Sequence, residues 1–102
     1  MREIQNDHRG ALDFYKKAIE LDPEHAKAHY NLGLLRRHSG NLDEAISEWE
    51  KAIAIDPDYT KAHNNLGVAY DFKGRADDAV YQYKRTVELD PKYVEANYNL
   101  GI

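Results

Sequence analysis

Five histidines are the first residues of this chain that could do chemistry. His25 and His29 stand four apart, a spacing that can turn two imidazoles to one helix face and begin a metal site. Pro23 places His25 in a turn, however, and no third ligand stands at ligand spacing, so no metal is expected. His29 and His63 recur at a fixed interval, which points to a shared packing position. The acidic pairs Asp43–Glu44 and Asp77–Asp78 are adjacent. Adjacent residues diverge by about 100° around a helix, so neither pair can converge as an acid and a base. Both suit the start of a helix, where negative charge complements the helix dipole. Cysteine is absent, which removes disulfide and thiolate chemistry. No glycine-rich phosphate loop, nucleophile elbow or zinc motif occurs. Neither catalysis nor a cofactor is expected of this segment. What remains is recognition: Asn31, Asn65 and Asn99 each carry an amide that both donates and accepts. Such a group can pair with an extended peptide backbone without reading its side chains, or can merely serve neighbouring backbone and water.

Those asparagines stand 34 residues apart, and so does much else. Pro23, Pro57 and Pro91 keep that interval (57 − 23 = 34), as do Leu32, Leu66 and Leu100, and Gly33, Gly67 and Gly101. A period of this size marks a stacked array in which each unit buries its apolar face against its neighbours. Within it, helical spacing dominates. Leu42, Ala45, Ile46, Trp49, Ala52 and Ile53 step by three and four, making one stripe on a helix. Asn41 and Glu44 read as the N-cap and capping-box partner of that helix. The stripe recurs as Ala76, Ala79, Val80, Tyr83 and Val87, and as Ala11, Leu12, Tyr15, Ala18 and Ile19. Further helices are expected from Lys27 to about Arg37, from Lys61 to Phe72, and from Glu95 onward. Gly40 and Gly74 are placed to end helices in the left-handed conformation. Asp22-Pro23, Asp56-Pro57 and Asp90-Pro91 end the others, because proline disfavours helix in the residue before it. No strand signal appears, so the chain reads as all-α, with helix hairpins in series.

Charge and composition exclude other classes. The formal net charge is −4, from 14 basic and 18 acidic residues, and no long basic run supplies the footprint of a nucleic-acid binder. No apolar run approaches the roughly 20 residues of a membrane span, and the N-terminal residues lack an apolar signal region. With no cysteine, these features lean toward a cytoplasmic setting.

On its 34-residue period the chain resembles the tetratricopeptide repeat, whose pattern is W-x₂-L-G-x₂-Y, then A-x₃-F, then P. His29, Leu32, Gly33 and Arg36 fall on the first part, with Ala45, Trp49 and Pro57 completing it. His63, Leu66, Gly67 and Tyr70 follow, with Ala79, Tyr83 and Pro91. Ala11, Tyr15 and Pro23 precede them, and Asn97, Leu100 and Gly101 come after. The chain departs where the family favours Trp (His29, His63, Asn97) and where it favours Tyr (Arg36). The resemblance implies an α-solenoid of antiparallel hairpins in a right-handed superhelix, used as a protein-interaction scaffold. The expected divisions are residues 1–25 (a second helix), 26–59 and 60–93 (full repeats), and 94–102 (a first helix).

On each first helix, one face should be buried: Ala28, Leu32 and Leu35, then Ala62, Leu66 and Ala69. The other collects Lys27, Tyr30, Asn31, Leu34, Arg37 and His38 on the first such helix. It collects Lys61, Asn64, Asn65, Val68, Asp71 and Phe72 on the second, and Glu95, Tyr98, Asn99 and Ile102 on the third. In the family these positions line the concave groove that holds peptides. Asn31, Asn65 and Asn99 are similar to the asparagine ladder of O-linked N-acetylglucosamine transferase arrays. A carboxylate clamp, as in co-chaperones that grip chaperone C-termini, fits poorly. Tyr30 and Leu34 stand where it needs Lys and Asn, and Glu95 and Asn99 where it needs Lys and Arg. Only Asn65 matches.

The chain spans three periods, cut inside a first helix. Ala96, Leu100 and Ile102 of one copy are therefore expected to suit Ala11, Leu12 and Tyr15 of another in a head-to-tail contact. Three readings follow: a non-catalytic module holding a protein or peptide in its groove, a self-assembling structural element, or a targeting arm of a larger enzyme. Whichever holds, Leu66 is a core residue. Leu66→Ala is expected to cost about 2–5 kcal/mol, read as a fall in the urea midpoint.

Overall fold

The computed structural model describes residues 2–92, with side chains from Arg9 to Lys92. Five helices follow one another: α1 (Arg2–Leu21), α2 (Ala26–His38), α3 (Leu42–Ile55), α4 (Thr60–Phe72) and α5 (Ala76–Leu89). The described residues contain no strand. The chain divides into two compact units, Met1–Ile55 and Asp56–Ile102. The first holds α1, α2 and α3; the second holds α4 and α5. α1 is 20 residues long where α3 and α5 have 14, and it begins well before the apolar stripe that starts at Ala11.

The helices stop where glycine and Asp-Pro stand, for two different reasons. Gly40 and Gly74 adopt φ of +83° and +78°. At the end of α2, Gly40 N donates to Arg37 O and Asn41 N to Arg36 O; at the end of α4, Gly74 N donates to Asp71 O and Arg75 N to Tyr70 O. This paired pattern satisfies carbonyls the helix leaves open, and it needs a left-handed residue that glycine accepts cheaply. The Asp-Pro turns work otherwise. His25 N donates to Asp22 O and Tyr59 N to Asp56 O, closing four-residue turns with proline second. The aspartate side chains add to this: Asp22, Asp56 and Asp90 each accept at Oδ1 from the backbone N–H two residues on. Proline ends the helix, and aspartate holds the turn that follows.

Each hairpin closes on a glycine. A Cβ built on Gly33 would lie 2.4 Å from Trp49 Nε1, and one on Gly67 would lie 2.5 Å from Tyr83 Cε1. The second-helix aromatic ring occupies the space that a first-helix side chain would need. Trp49 also donates its indole N–H to Tyr30 O at 3.1 Å, and Tyr83 donates its hydroxyl to Asp71 Oδ2 at 3.1 Å. Around these contacts Ala28, Leu32, Ala45, Ile46 and Ala52 are buried in the first unit, and Ala62, Leu66, Ala69, Tyr70 and Ala79 in the second. Leu35 is only half-buried. Thr86 stands where the first unit has Ala52, fully buried, and its hydroxyl donates to Gln82 O one turn back.

Glycine thus has opposite meanings along the chain. Gly10 is also helical, but a Cβ there meets nothing within 4 Å. Gly10→Ala is expected to raise stability by about 0.5–1 kcal/mol through helix propensity. Gly33→Ala and Gly67→Ala are expected to lower it by about 1–3 kcal/mol through overpacking. Thermal or urea unfolding of the three variants reads the sign directly.

Candidate partner-binding faces

The recurring histidines sit at the base of each hairpin, and they are structural. His29 is 6% exposed and His63 5%. His29 Nε2 lies 2.9 Å from Pro23 O, and His63 Nε2 lies 2.7 Å from Pro57 O. A carbonyl only accepts, so Nε2 carries the proton in both rings. On the other side, His29 Nδ1 meets Glu48 Oε1 at 2.8 Å and His63 Nδ1 meets Gln82 Oε1 at 2.7 Å. Each ring therefore clasps the Asp-Pro turn to the second helix. His63 Nδ1 faces a neutral amide where His29 Nδ1 faces a carboxylate. The His29–Glu48 contact is an ion pair when the ring holds both protons. Shared burial of these positions was legible from their spacing; the clasp was not. His25 caps α2, its Nδ1 accepting from Ala28 N at 3.2 Å. With both nitrogens of His29 engaged, the His25–His29 spacing offers no metal pair. Among the described residues no three histidine, cysteine or acidic side chains cluster as a metal site.

With these residues assigned to the scaffold, the remaining face of each first helix stands out. On α2, Lys27, Arg37 and His38 are exposed, while Tyr30, Asn31 and Leu34 are half-buried. The Arg37 guanidinium lies 5.8 Å from the centre of the Trp49 ring, covering an indole that is itself fully buried. On α4, Lys61, Asp71 and Phe72 are exposed, and Asn65 and Val68 are half-buried. Phe72 is 84% exposed, a large apolar side chain held in solvent. Asp71 serves the fold as well, since it accepts from the Tyr83 hydroxyl.

Asn64 corrects the expectation drawn from helical spacing. It is 1% exposed and belongs to the core, so it offers no surface to a partner. Its counterpart on α2 is Tyr30, which is half-buried, and the buried arc of α4 is the wider of the two. Glu95, Tyr98, Asn99 and Ile102 lie outside the described residues, as do Ala96 and Leu100. Ala11, Leu12 and Tyr15, expected at a self-association face, are half-buried on α1.

The spacing argument passed over a cleft of about 280 Å³ between α1 and the start of α2. Phe14, Tyr15 and Ala18 wall it from α1, and Lys27, Ala28 and Asn31 from α2. Phe14 and Tyr15 meet edge to face, their ring centres 5.6 Å apart. Phe14 occupies the position held by Glu48 and Gln82 in the later units. An apolar residue at a polar position was the available signal.

Family matching decides what kind of scaffold this is. The family described as "TPR repeat" matches residues 33–71 and 73–102, and that described as "Tetratricopeptide repeat" matches residues 14–47. The chain belongs to the tetratricopeptide repeat family. No curated protein matches the chain. Among solved structures, the first TPR of Spaghetti (RPAP3), bound to the HSP90 peptide SRMEEVD, is 28% identical with a TM-score of 0.87. That likeness covers 95% of this chain and 77% of that one. MamA is 35% identical with a TM-score of 0.74, over 90% of this chain and 50% of that one. The O-GlcNAc transferase of Thermobaculum terrenum, solved as a mutant, is 26% identical with a TM-score of 0.83, over 92% and 18%. The chain thus spans half the length of MamA and under a fifth of the transferase. It has the all-α helical repeat fold of this family, and no helix among its described residues is long and apolar enough to cross a membrane.

The division between scaffold and face is measurable. Lys27→Ala and Asn31→Ala are expected to leave unfolding free energy within about 0.5 kcal/mol of the parent, as surface changes do. Asn64→Ala, which truncates a buried side chain, is expected to cost about 1 kcal/mol or more. Urea denaturation followed by circular dichroism separates the two groups.

Proposed function

We propose that this tetratricopeptide chain binds an extended segment of a partner protein, and that within a unit the contact surface is the outward face of its first helix. The reading assigns the segment no catalytic step. The observation that carries it is the sorting of α2: Ala28, His29, Leu32 and Gly33 are buried, while Lys27, Tyr30, Asn31, Leu34 and Arg37 stay at the surface. That face combines apolar, aromatic, amide and cationic groups at helical spacing, a mixture suited to peptide backbone and side chains together. α4 repeats the pattern with Lys61, Asn65, Val68 and Phe72. Its family supports an interaction role, and the related first TPR of Spaghetti is bound to a peptide.

Asn31 and Asn65 are assigned to the partner's backbone, and Asn99 joins them as the third position of the same register. A backbone reader tolerates many sequences, so selectivity falls to the residues around it, Tyr30, Leu34, Val68 and Phe72. The acidic C-terminal peptide is not the preferred ligand, because Tyr30 and Leu34 replace the polar groups that would grip its carboxylates.

Peptides selected from a random phage-displayed library against the 102-residue chain supply the probe. Asn31→Ala with Asn65→Ala is expected to weaken a selected peptide at least tenfold at an unchanged urea midpoint, about 1.4 kcal/mol of binding free energy. SRMEEVD is expected to show no measurable binding by calorimetry. Selected peptides that bind the double variant as tightly as the parent would overturn the assignment.

A further inference from the structure

Three arginines of this chain are matched to carboxylates. Arg36 Nε lies 3.4 Å from Glu44 Oε2, Arg75 Nε 2.8 Å from Asp78 Oδ2, and Arg85 Nη1 3.0 Å from Glu88 Oε1. Arg37 is held differently. Its guanidinium lies 5.8 Å from the centre of the Trp49 ring, and among the described residues no carboxylate pairs with it. The side chain is exposed. A cation over an indole face is restrained by the ring, so less freedom is lost when an anion arrives.

Arg37 ends a stripe. At 100° per residue, Leu34 lies about 40° from Tyr30 on one side and Arg37 about 20° from it on the other. Tyr30 and Leu34 are half-buried, so this line of α2 runs aromatic, aliphatic, cation. On α4 the same three positions are Asn64, Val68 and Asp71. Asn64 is buried, and Asp71 accepts from the Tyr83 hydroxyl at 3.1 Å. The charge at this register therefore reverses between the units. In the second it meets the hydroxyl of the ring; in the first it lies over a ring whose N–H already donates to Tyr30 O.

We propose that Arg37 receives one carboxylate, the side chain of an aspartate or glutamate within the partner's extended segment, while an apolar side chain of that segment covers Tyr30 and Leu34. This rests on the outward face of α2 being the contact surface, and it names the chemistry that face selects. Charge complementarity carries it. α2 holds Lys27, Arg36 and Arg37 and no acidic residue, in a chain of net charge −4. Glu44 offsets Arg36, which leaves the single charge of Arg37 at the end of the stripe. A guanidinium fork meets a carboxylate with two parallel N–H···O bonds. A phosphate monoester brings about two negative charges and calls for more than one cation. An exposed ion pair contributes little by itself, so an acidic peptide that leaves Tyr30 and Leu34 uncovered is not retained. That agrees with the expected failure of SRMEEVD.

The test selects random phage-displayed peptides separately on the 102-residue chain and on its Arg37→Glu variant. Peptides from the parent are expected to share an aspartate or glutamate beside an apolar residue. Those from Arg37→Glu are expected to carry lysine or arginine in its place. In a synthetic parent-selected peptide, replacing the shared acid by its amide is expected to weaken binding to the parent about fivefold and to leave binding to Arg37→Gln unchanged. Replacing it by lysine is expected to restore binding to Arg37→Glu, a rescue that a merely structural role of Arg37 would not produce. Lys16→Gln removes the same charge from α1 and is expected to keep the fivefold ratio. Urea midpoints check folding; should Arg37→Glu unfold on uncovering Trp49, Arg37→Gln carries the comparison. Selected peptides without a shared acid, a fivefold ratio that survives Arg37→Gln, or one that Lys16→Gln abolishes would each overturn the role of Arg37 and leave the peptide-binding reading standing. A library that yields no binder to the parent would overturn both.

Discussion

The contact between a glycine and an aromatic ring is the constraint on which the rest depends. Trp49 on Gly33 and Tyr83 on Gly67 bring two helices closer than any side chain at the glycine would permit. Dispersion falls steeply with distance, so removing one carbon from the interface lets the whole ring face gain contact. The same approach brings Trp49 Nε1 within hydrogen-bond distance of Tyr30 O, satisfying a buried donor. Because the ring occupies the inner side of the first helix, the opposite side of that helix remains available. The exposed face follows from the packing.

A second device repeats with the first. Each buried histidine joins the Asp-Pro turn to the second helix, and so couples the loop to the hairpin that follows. An indole at this position, as the family favours, has one donor and could serve only one of these partners. Imidazole has two functional nitrogens and serves both. The two copies differ in their third member, the carboxylate of Glu48 in one and the amide of Gln82 in the other. Histidines that suggest metal binding from their spacing are thus consumed by the scaffold.

The 34-residue register was legible in the sequence because glycine, proline and small residues at fixed intervals have steric meanings that do not depend on context. It determined the helix order, the hairpin pairing, the glycine stops and the core positions Leu32, Trp49, Leu66 and Tyr83. Helical spacing also separated most of the outward face from the core. It failed at Asn64, since periodicity assigns a direction on one helix and says nothing of what covers that side in space. It passed over Phe14, because a face counts as open only when its cover is absent in space. The Asp-Pro-histidine clasps were likewise decided by tertiary structure. They join residues 6 and 19 positions apart, and only the folded hairpin sets those distances. What spacing alone determined was which residues repeat; what three dimensions decided was which of those repeats are satisfied, and which still present a surface.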